Sequence, residues 1–277
     1  MIHVVTAIYF FAVLLFIFGL KLLSSPTTAR KGNLIAGIGM LLAILATFFQ
    51  IFLQHNQDPL FSIKLQIMVL MIVLGSIIGW VSAKKVPLTD MPQMVALFNG
   101  MGGGAAGVIG YLDLLSGHGE FALKAIAALA LIIGTISFSG SIGAFLKLQG
   151  WIGDRPITFP GQQILNALLF LAALVLGFLT LYNTSYLNLF TALPLILGFL
   201  ITLPIGGADM PVVISLFNAM TGLAVAFDGF AIKNYTLIVS GTIVGASGTL
   251  LTLLMAKAMN RSITNILFGA VGKIVGG

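Results

Sequence analysis

Residues 8–20 read IYFFAVLLFIFGL, and residues 167–179 read ALLFLAALVLGFL. Neither run alternates apolar with polar residues, as the strands of a membrane barrel do. A segment that is apolar on every side satisfies its backbone in hydrocarbon by closing its hydrogen bonds internally, as a helix. About 20 predominantly apolar residues cross that layer. Such stretches recur nine times, at 3–23, 33–54, 61–82, 91–112, 121–146, 163–180, 188–204, 210–228 and 232–257. The sequence therefore predicts an all-α polytopic membrane protein with nine transmembrane helices. The first span is not read as a cleaved signal, because no basic stretch precedes it and its apolar run exceeds the roughly 7–15 residues of such a signal.

Composition agrees with this reading. Of 277 residues, 59% are hydrophobic and 7% charged, with a mean hydropathy of +1.13; a soluble domain carries roughly 25% charged residues. Disorder, a soluble enzyme domain and nucleic-acid binding are excluded despite a net charge of +6, since basic excess on a membrane protein reports orientation. Cysteine is absent, which removes disulfides, thiolate nucleophiles and Cys-based metal sites.

Ten of the thirteen basic residues fall on one side of the spans: Lys21, Arg30, Lys31, Lys84, Lys85, Lys147, Arg155, Lys257, Arg261 and Lys273. Lys64, Lys124 and Lys233 fall on the other. The positive-inside rule makes the rich side cytoplasmic, placing the N-terminus outside and the C-terminus in the cytoplasm. Asp58, Asp113, Glu120 and Asp228 are assigned to outer loops or span ends, and Asp90, Asp154 and Asp209 to the inner side. None of these charges is expected at mid-depth.

Two segments repeat across 119 residues, Asp90-MPQMVALFNGMGGGA and Asp209-MPVVISLFNAMTGLA, identical at nine of sixteen positions. Both start at the cytoplasmic side, so spans 4 and 8 form a parallel internal repeat. Proline suits the first helical turn, and the preceding Asp suits an N-cap and the positive end of the helix dipole. Nine residues on, at about 1.5 Å each, Asn99 and Asn218 lie about 13–14 Å deep, near the bilayer midplane. An unpaired amide there is costly, so each bridges helices or joins a polar path. Thr135, Ser137, Ser139 and Ser141 add hydroxyls on the fifth span; Ser240, Ser247 and Thr249 do so on the ninth. Gly100, Gly103, Gly104 and Gly107, with Gly241, Gly245 and Gly248, allow close helix packing.

Gly102–Gly107 also matches GxGxxG, but the dinucleotide mechanism needs a strand–turn–helix and these glycines sit inside a span. His3, His55 and His118 lie at span ends or in outer loops without ligand spacing, so no metal site is expected. Asn183-Thr-Ser185 and Asn234-Tyr-Thr236 match glycosylation sequons in loops too short to credit. On these residues alone the readings are helices bridged by polar residues as structural glue, or a shared polar path such as a self-contained secondary transporter of a small solute would use.

Ala208-DMPVVISLFNAMTG, Gly245-Ala-Ser-Gly248 and Lys257-AMNRS, with Ala83-Lys-Lys-Val and Phe138-Ser-Gly-Ser-Ile, resemble one family. It is the membrane domain of the β subunit of proton-translocating NAD(P) transhydrogenases, and the resemblance runs over essentially the whole chain. It implies a multi-pass protein of the bacterial inner (cytoplasmic) membrane, in which hydride transfer from NADH to NADP+ is coupled to proton translocation into the cytoplasm. It further implies an α subunit carrying NAD(H) and membrane helices, a soluble NADP(H)-binding domain after the last span, and a dimer of protomers. Residues 1–261 then form the translocating domain and 262–277 a linker toward that soluble domain. No cofactor, metal or catalytic residue is expected in this chain itself. Position by position, the resemblance implicates Asn218, Ser141, Gly245, Ser247 and Gly248 in the membrane, with Asp209 and Arg261 as the coupling pair facing the NADP(H) domain. Where some members bury a histidine in the first repeat, this chain has Asn99. An amide cannot carry a proton, so the titrating group is expected on an α-subunit helix, as a His facing Asn99.

Overall fold

The computed structural model of the chain describes residues 2–54, 60–117 and 119–268. Among them nine helices are long and apolar enough to cross a membrane, and no strand occurs. The chain is a multi-pass helical membrane protein that divides into two compact units, Met1–Leu88 and Thr89–Gly277.

The first unit holds α1 (Ile2–Leu23), α2 (Ala29–Gln54) and α3 (Phe61–Lys85). α1 and α2 pair closely. At their crossing a Cβ on Gly32 would lie 2.7 Å from the Gly19 carbonyl oxygen, so only glycine fits. Thr28 closes the turn between them, its hydroxyl donating to the Leu22 carbonyl at 2.6 Å. No residue of α3 is buried.

The second unit contains α4 (Met91–Ser116), α5 (Phe121–Leu148), α6 (Gln162–Thr180), α7 (Leu187–Thr202), α8 (Met210–Ala231), α9 (Tyr235–Ala258) and the short α10 (Ile263–Phe268). α5 and α8 form its centre: α5 packs against α4, α7 and α8, while α8 packs against α4, α5 and α9. α6 lies outside α7. Small residues let α5 meet three neighbours at once. A Cβ on Gly134 would sit 2.7 Å from the Gly103 carbonyl oxygen of α4 and 2.7 Å from the Gly107 nitrogen. Gly140 receives the Phe217 ring of α8, and Gly143 lies beneath Thr202 of α7. On the far side of α8, a Cβ on Gly222 would strike the backbone of Gly245 and Gly241. Without a hydrophobic drive between helices in lipid, such close backbone approach supplies the van der Waals contact that holds them.

All nine spans occur where the apolar runs predict them, with ends that differ by about one turn. Two of those differences matter. α5 continues to Leu148 and α8 to Ala231, so Lys147 and Asp228, assigned above to the two membrane faces, lie inside helices and are each 1% exposed. The capping expectation needs correction too. Asp90 and Asp209 stand at the N-cap positions of α4 and α8, but neither carboxylate bonds to a helix N–H. Both helices are instead entered through a 3-10 turn, Leu88–Asp90 and Gly207–Asp209, with proline in the first turn. The sequon asparagines have a structural use: Asn183 accepts from the Ser185 N–H, and Asn234 accepts from those of Thr236 and Leu237, capping the start of α9. His55, His118, Asp58 and Lys273 lie outside the described residues.

Overpacking a closed crossing costs about 1–3 kcal/mol or more. Gly222→Leu is therefore expected to lower the thermal unfolding midpoint of the detergent-solubilised protein. Gly75→Leu on α3, where nothing lies within 4 Å, is expected to leave it unchanged or slightly raised.

Candidate functional site

Asn99 sits on the buried side of α4, 9% exposed, and its Nδ2 donates to the Ser141 hydroxyl at 2.8 Å. A second, longer contact of 3.5 Å reaches Ser137 Oγ. Ser137 donates to the Phe217 carbonyl at 2.8 Å and shares a 2.6 Å hydrogen bond with Thr221 Oγ1. A serine hydroxyl has one proton. Because that of Ser137 is committed to Phe217, Thr221 is the donor in the shared bond. The result is a continuous series, Ser141–Asn99–Ser137–Thr221, that crosses from α4 through α5 to α8. Every partner is an amide, hydroxyl or carbonyl, so the cluster is held by dipoles and contains no charged group.

The close α4–α5 crossing makes this arrangement possible. A Cβ on Gly100 would lie 3.2 Å from the Ser141 Cβ, and one on Gly103 would lie 3.0 Å from the Phe138 nitrogen. Gly107 faces Thr135. Only with the two backbones this near can the short side chains of Asn99, Ser137 and Ser141 reach each other.

Asn218 and Ser247 stand outside the series. Asn218 is half-buried, and Ser247 is exposed, its hydroxyl turned back on the Val244 carbonyl at 3.1 Å. Gly245 and Gly248 pack α9 against α8, Gly248 directly over Ala219, where a Cβ would lie 2.9 Å from that residue's nitrogen. On the α8 side, Ser215 reaches the Gly248 carbonyl at 3.3 Å.

The second feature lies at the start of α8. Arg261 Nη1 donates to Asp209 Oδ2 in an ion pair whose acid is largely buried and whose base is half-exposed. Local geometry brings Arg261 there. Asn260 adopts φ +53°, a conformation Asn tolerates better than most residues. The Arg261 N–H bonds to the Ala256 carbonyl and that of Asn260 to Lys257, both at 3.0 Å, the 6→1 and 5→2 pair of a Schellman ending. α9 thus stops and folds its next residue back toward α8. Asp209 Oδ1 remains without a hydrogen-bond partner among the described residues.

Lys147, counted above as a loop cation, is a buried fastener. Its Nζ donates to the carbonyls of Leu203 and Ile205 at 2.6 and 2.7 Å, in the segment between α7 and α8. The neighbouring loop is sewn to the same segment by Ile157 N–H to the Leu203 carbonyl and Gly207 N–H to the Asp154 carbonyl, both at 2.9 Å. Asp209 therefore starts from an anchored turn.

Nine helices among the described residues that are long and apolar enough to cross a membrane, with an uncharged polar series joining α4, α5 and α8 and an acid–base pair at the start of α8, define an integral membrane protein. The profile of the NAD(P) transhydrogenase beta subunit family matches residues 5–276, and the chain belongs to that family. Two curated sequences named NAD(P) transhydrogenase subunit beta, both from Rhodospirillum rubrum, are each 43% identical to it over 278 residues. The match takes in 96% of this chain and 58% of each relative, so the chain spans rather more than half their length.

Interhelical hydrogen bonds in membranes contribute on average about 0.6 kcal/mol and at most about 1.7. A double-mutant cycle on Asn99→Ala and Ser141→Ala, read by unfolding in mixed micelles, is expected to give a coupling in that range. The pair Asn99→Ala and Ser247→Ala should instead be additive within about 0.5 kcal/mol.

Proposed function

We propose that this chain is the proton-conducting membrane part of an NAD(P) transhydrogenase, in which hydride transfer from NADH to NADP+ drives, or is driven by, proton passage into the cytoplasm. The observation that carries the proposal is family membership over nearly the whole chain, joined to a hydrogen-bonded polar series at the centre of its helices. Asn99, Ser141, Ser137 and Thr221 orient the water along which protons move; Asn218 and Ser247 serve the path from outside this series. The chain binds no nucleotide itself. NAD(H) sits on an α subunit whose helices join these in the membrane, NADP(H) on a soluble domain beyond residues 262–277, and two protomers form a dimer in the bacterial inner membrane.

In this reading the basic ends of the spans face the cytoplasm, with the N-terminus outside. The helix pairs α4–α5 and α8–α9 are two copies of one parallel unit. Their support is the shared entry turn and the shared crossing: Gly103 meets Gly134, Ser137 and Phe138 just as Gly222 meets Gly241, Val244 and Gly245. By that correspondence Val244 and Gly248 stand where the first copy has Ser137 and Ser141. The first copy carries the hydroxyls that bind its asparagine, and the second has Val and Gly in their place.

The Asp209–Arg261 pair is the coupling element, made or broken as the NADP(H) domain moves against the cytoplasmic face. In the complete enzyme, Asp209→Asn is expected to leave hydride transfer running while proton uptake per hydride falls severalfold. Wild-type proton uptake in that variant, measured with a pH-sensitive dye in liposomes, would remove Asp209 from the mechanism.

A further inference from the structure

Asp228 lies in the last turn of α8 and is 1% exposed. Neither carboxylate oxygen has a hydrogen-bond partner among the described residues. A bare carboxylate so placed is strongly unfavourable, since it has lost water and gained no donor. Its surroundings do not compensate it. The end of a helix where it sits carries the negative pole of the backbone dipoles. Of the elements that pack against α8, α4 brings Asp113 near enough for its charge to act on it, and that charge has the same sign. The chain's own atoms cover it, so a partner's ammonium or guanidinium has less room beside it than a proton handed on by a water molecule. A proton is the counter-charge that fits.

Its position on the helix gives that proton a destination. Phe217, Thr221, Ala224 and Asp228 follow one another at spacings of four, three and four residues, so they share one face of α8. This is the face whose Phe217 carbonyl and Thr221 hydroxyl bind Ser137. Asp228 is seven residues beyond Thr221, about 10 Å along the axis, and at the opposite end of α8 from Asp209. Resting on the function proposed above, we infer that Asp228 is the proton-carrying group of this chain, taking a proton from the outer side and delivering it toward the Thr221–Ser137–Asn99 series. The step is a bare transfer. A carboxylate oxygen accepts a proton from outer water and later releases it to water on the Thr221 side, with no other bond changed.

The test uses the complete enzyme, with its α subunit and NADP(H) domain, in liposomes carrying a pH-sensitive dye. Wild type must first take up protons during transhydrogenation; if it does not, the function proposed above fails, whatever Asp228 does. Given uptake in wild type, Asp228→Asn is expected to cut protons per hydride at least tenfold. Asp228→Glu should restore at least half and shift the pH profile of the coupled rate, which a purely structural carboxyl would not do. Infrared difference spectra between acid and alkaline buffers give a readout independent of turnover. A protonated-carboxyl band should vanish in Asp228→Asn, change frequency in Asp228→Glu and persist in Asp113→Asn. Normal proton uptake in Asp228→Asn overturns the inference. Should that variant fail to assemble, a wild-type band unmoved by Asp228→Glu overturns it equally.

Discussion

Everything in the Thr89–Gly277 unit depends on how near helix backbones come to one another. In hydrocarbon a leucine gains nothing by leaving lipid for another helix, so contact has to come from shape. α5 meets that constraint on three sides, through Gly134 toward α4, Gly140 toward α8 and Gly143 toward α7. Large side chains at those points would push the neighbours apart. The same nearness sets the chemistry. Serine and asparagine are short, and a hydroxyl on α5 reaches an amide on α4 only because nothing separates the two helices.

Polar groups in this protein are sorted by whether they can be satisfied without charge. The centre holds amides, hydroxyls and free carbonyls that satisfy one another. Ionised partners stand toward helix ends: Asp209 with Arg261, and the Lys147 ammonium on two carbonyls. Asp228 breaks this sorting, as a buried acid without a hydrogen-bond partner among the described residues. The transhydrogenase family profile runs over both helix pairs, 5–276, so the contrast between them lies within one inherited scaffold. One asparagine is held by two serines, and its counterpart is half-buried and outside that network.

Much of this was legible in the sequence, and the misses have identifiable causes. Hydropathy located all nine spans, because a run of apolar residues is long compared with the error at its ends. That error, about one turn, is nevertheless what hid the burial of Lys147 and Asp228: a charge at the edge of an apolar run reads as solvated until the helix is seen to continue past it. The repeat pointed to Asn99 and Asn218 together, yet hydrogen bonding depends on the residues across the crossing. Those come from α5 and α9, outside the repeated string. Ser247 entered as a path residue through the family resemblance; the helical phase that buries Gly241 and Gly248 leaves it exposed in this chain, outside the series around Asn99. Thr221 carried no signal of its own; its role needs Ser137 beside it. The Asn260-Arg261 step was visible as part of a family string, and its physical reason, a left-handed residue ending α9, was not.

Lys147 gives the molecule a mechanical linkage. Its ammonium grips the carbonyls of Leu203 and Ile205, four and two residues before Gly207, where the turn carrying Asp209 begins. Six residues earlier on the same helix, Ser141 holds Asn99. α5 therefore works as a rigid rod with one grip on the polar centre and another on the base of the ion pair. Tilting or sliding that rod displaces both together. In the function proposed above, a change that begins where Arg261 meets Asp209 would thereby be geared to the contact between Ser141 and Asn99, without any charged residue having to travel between them.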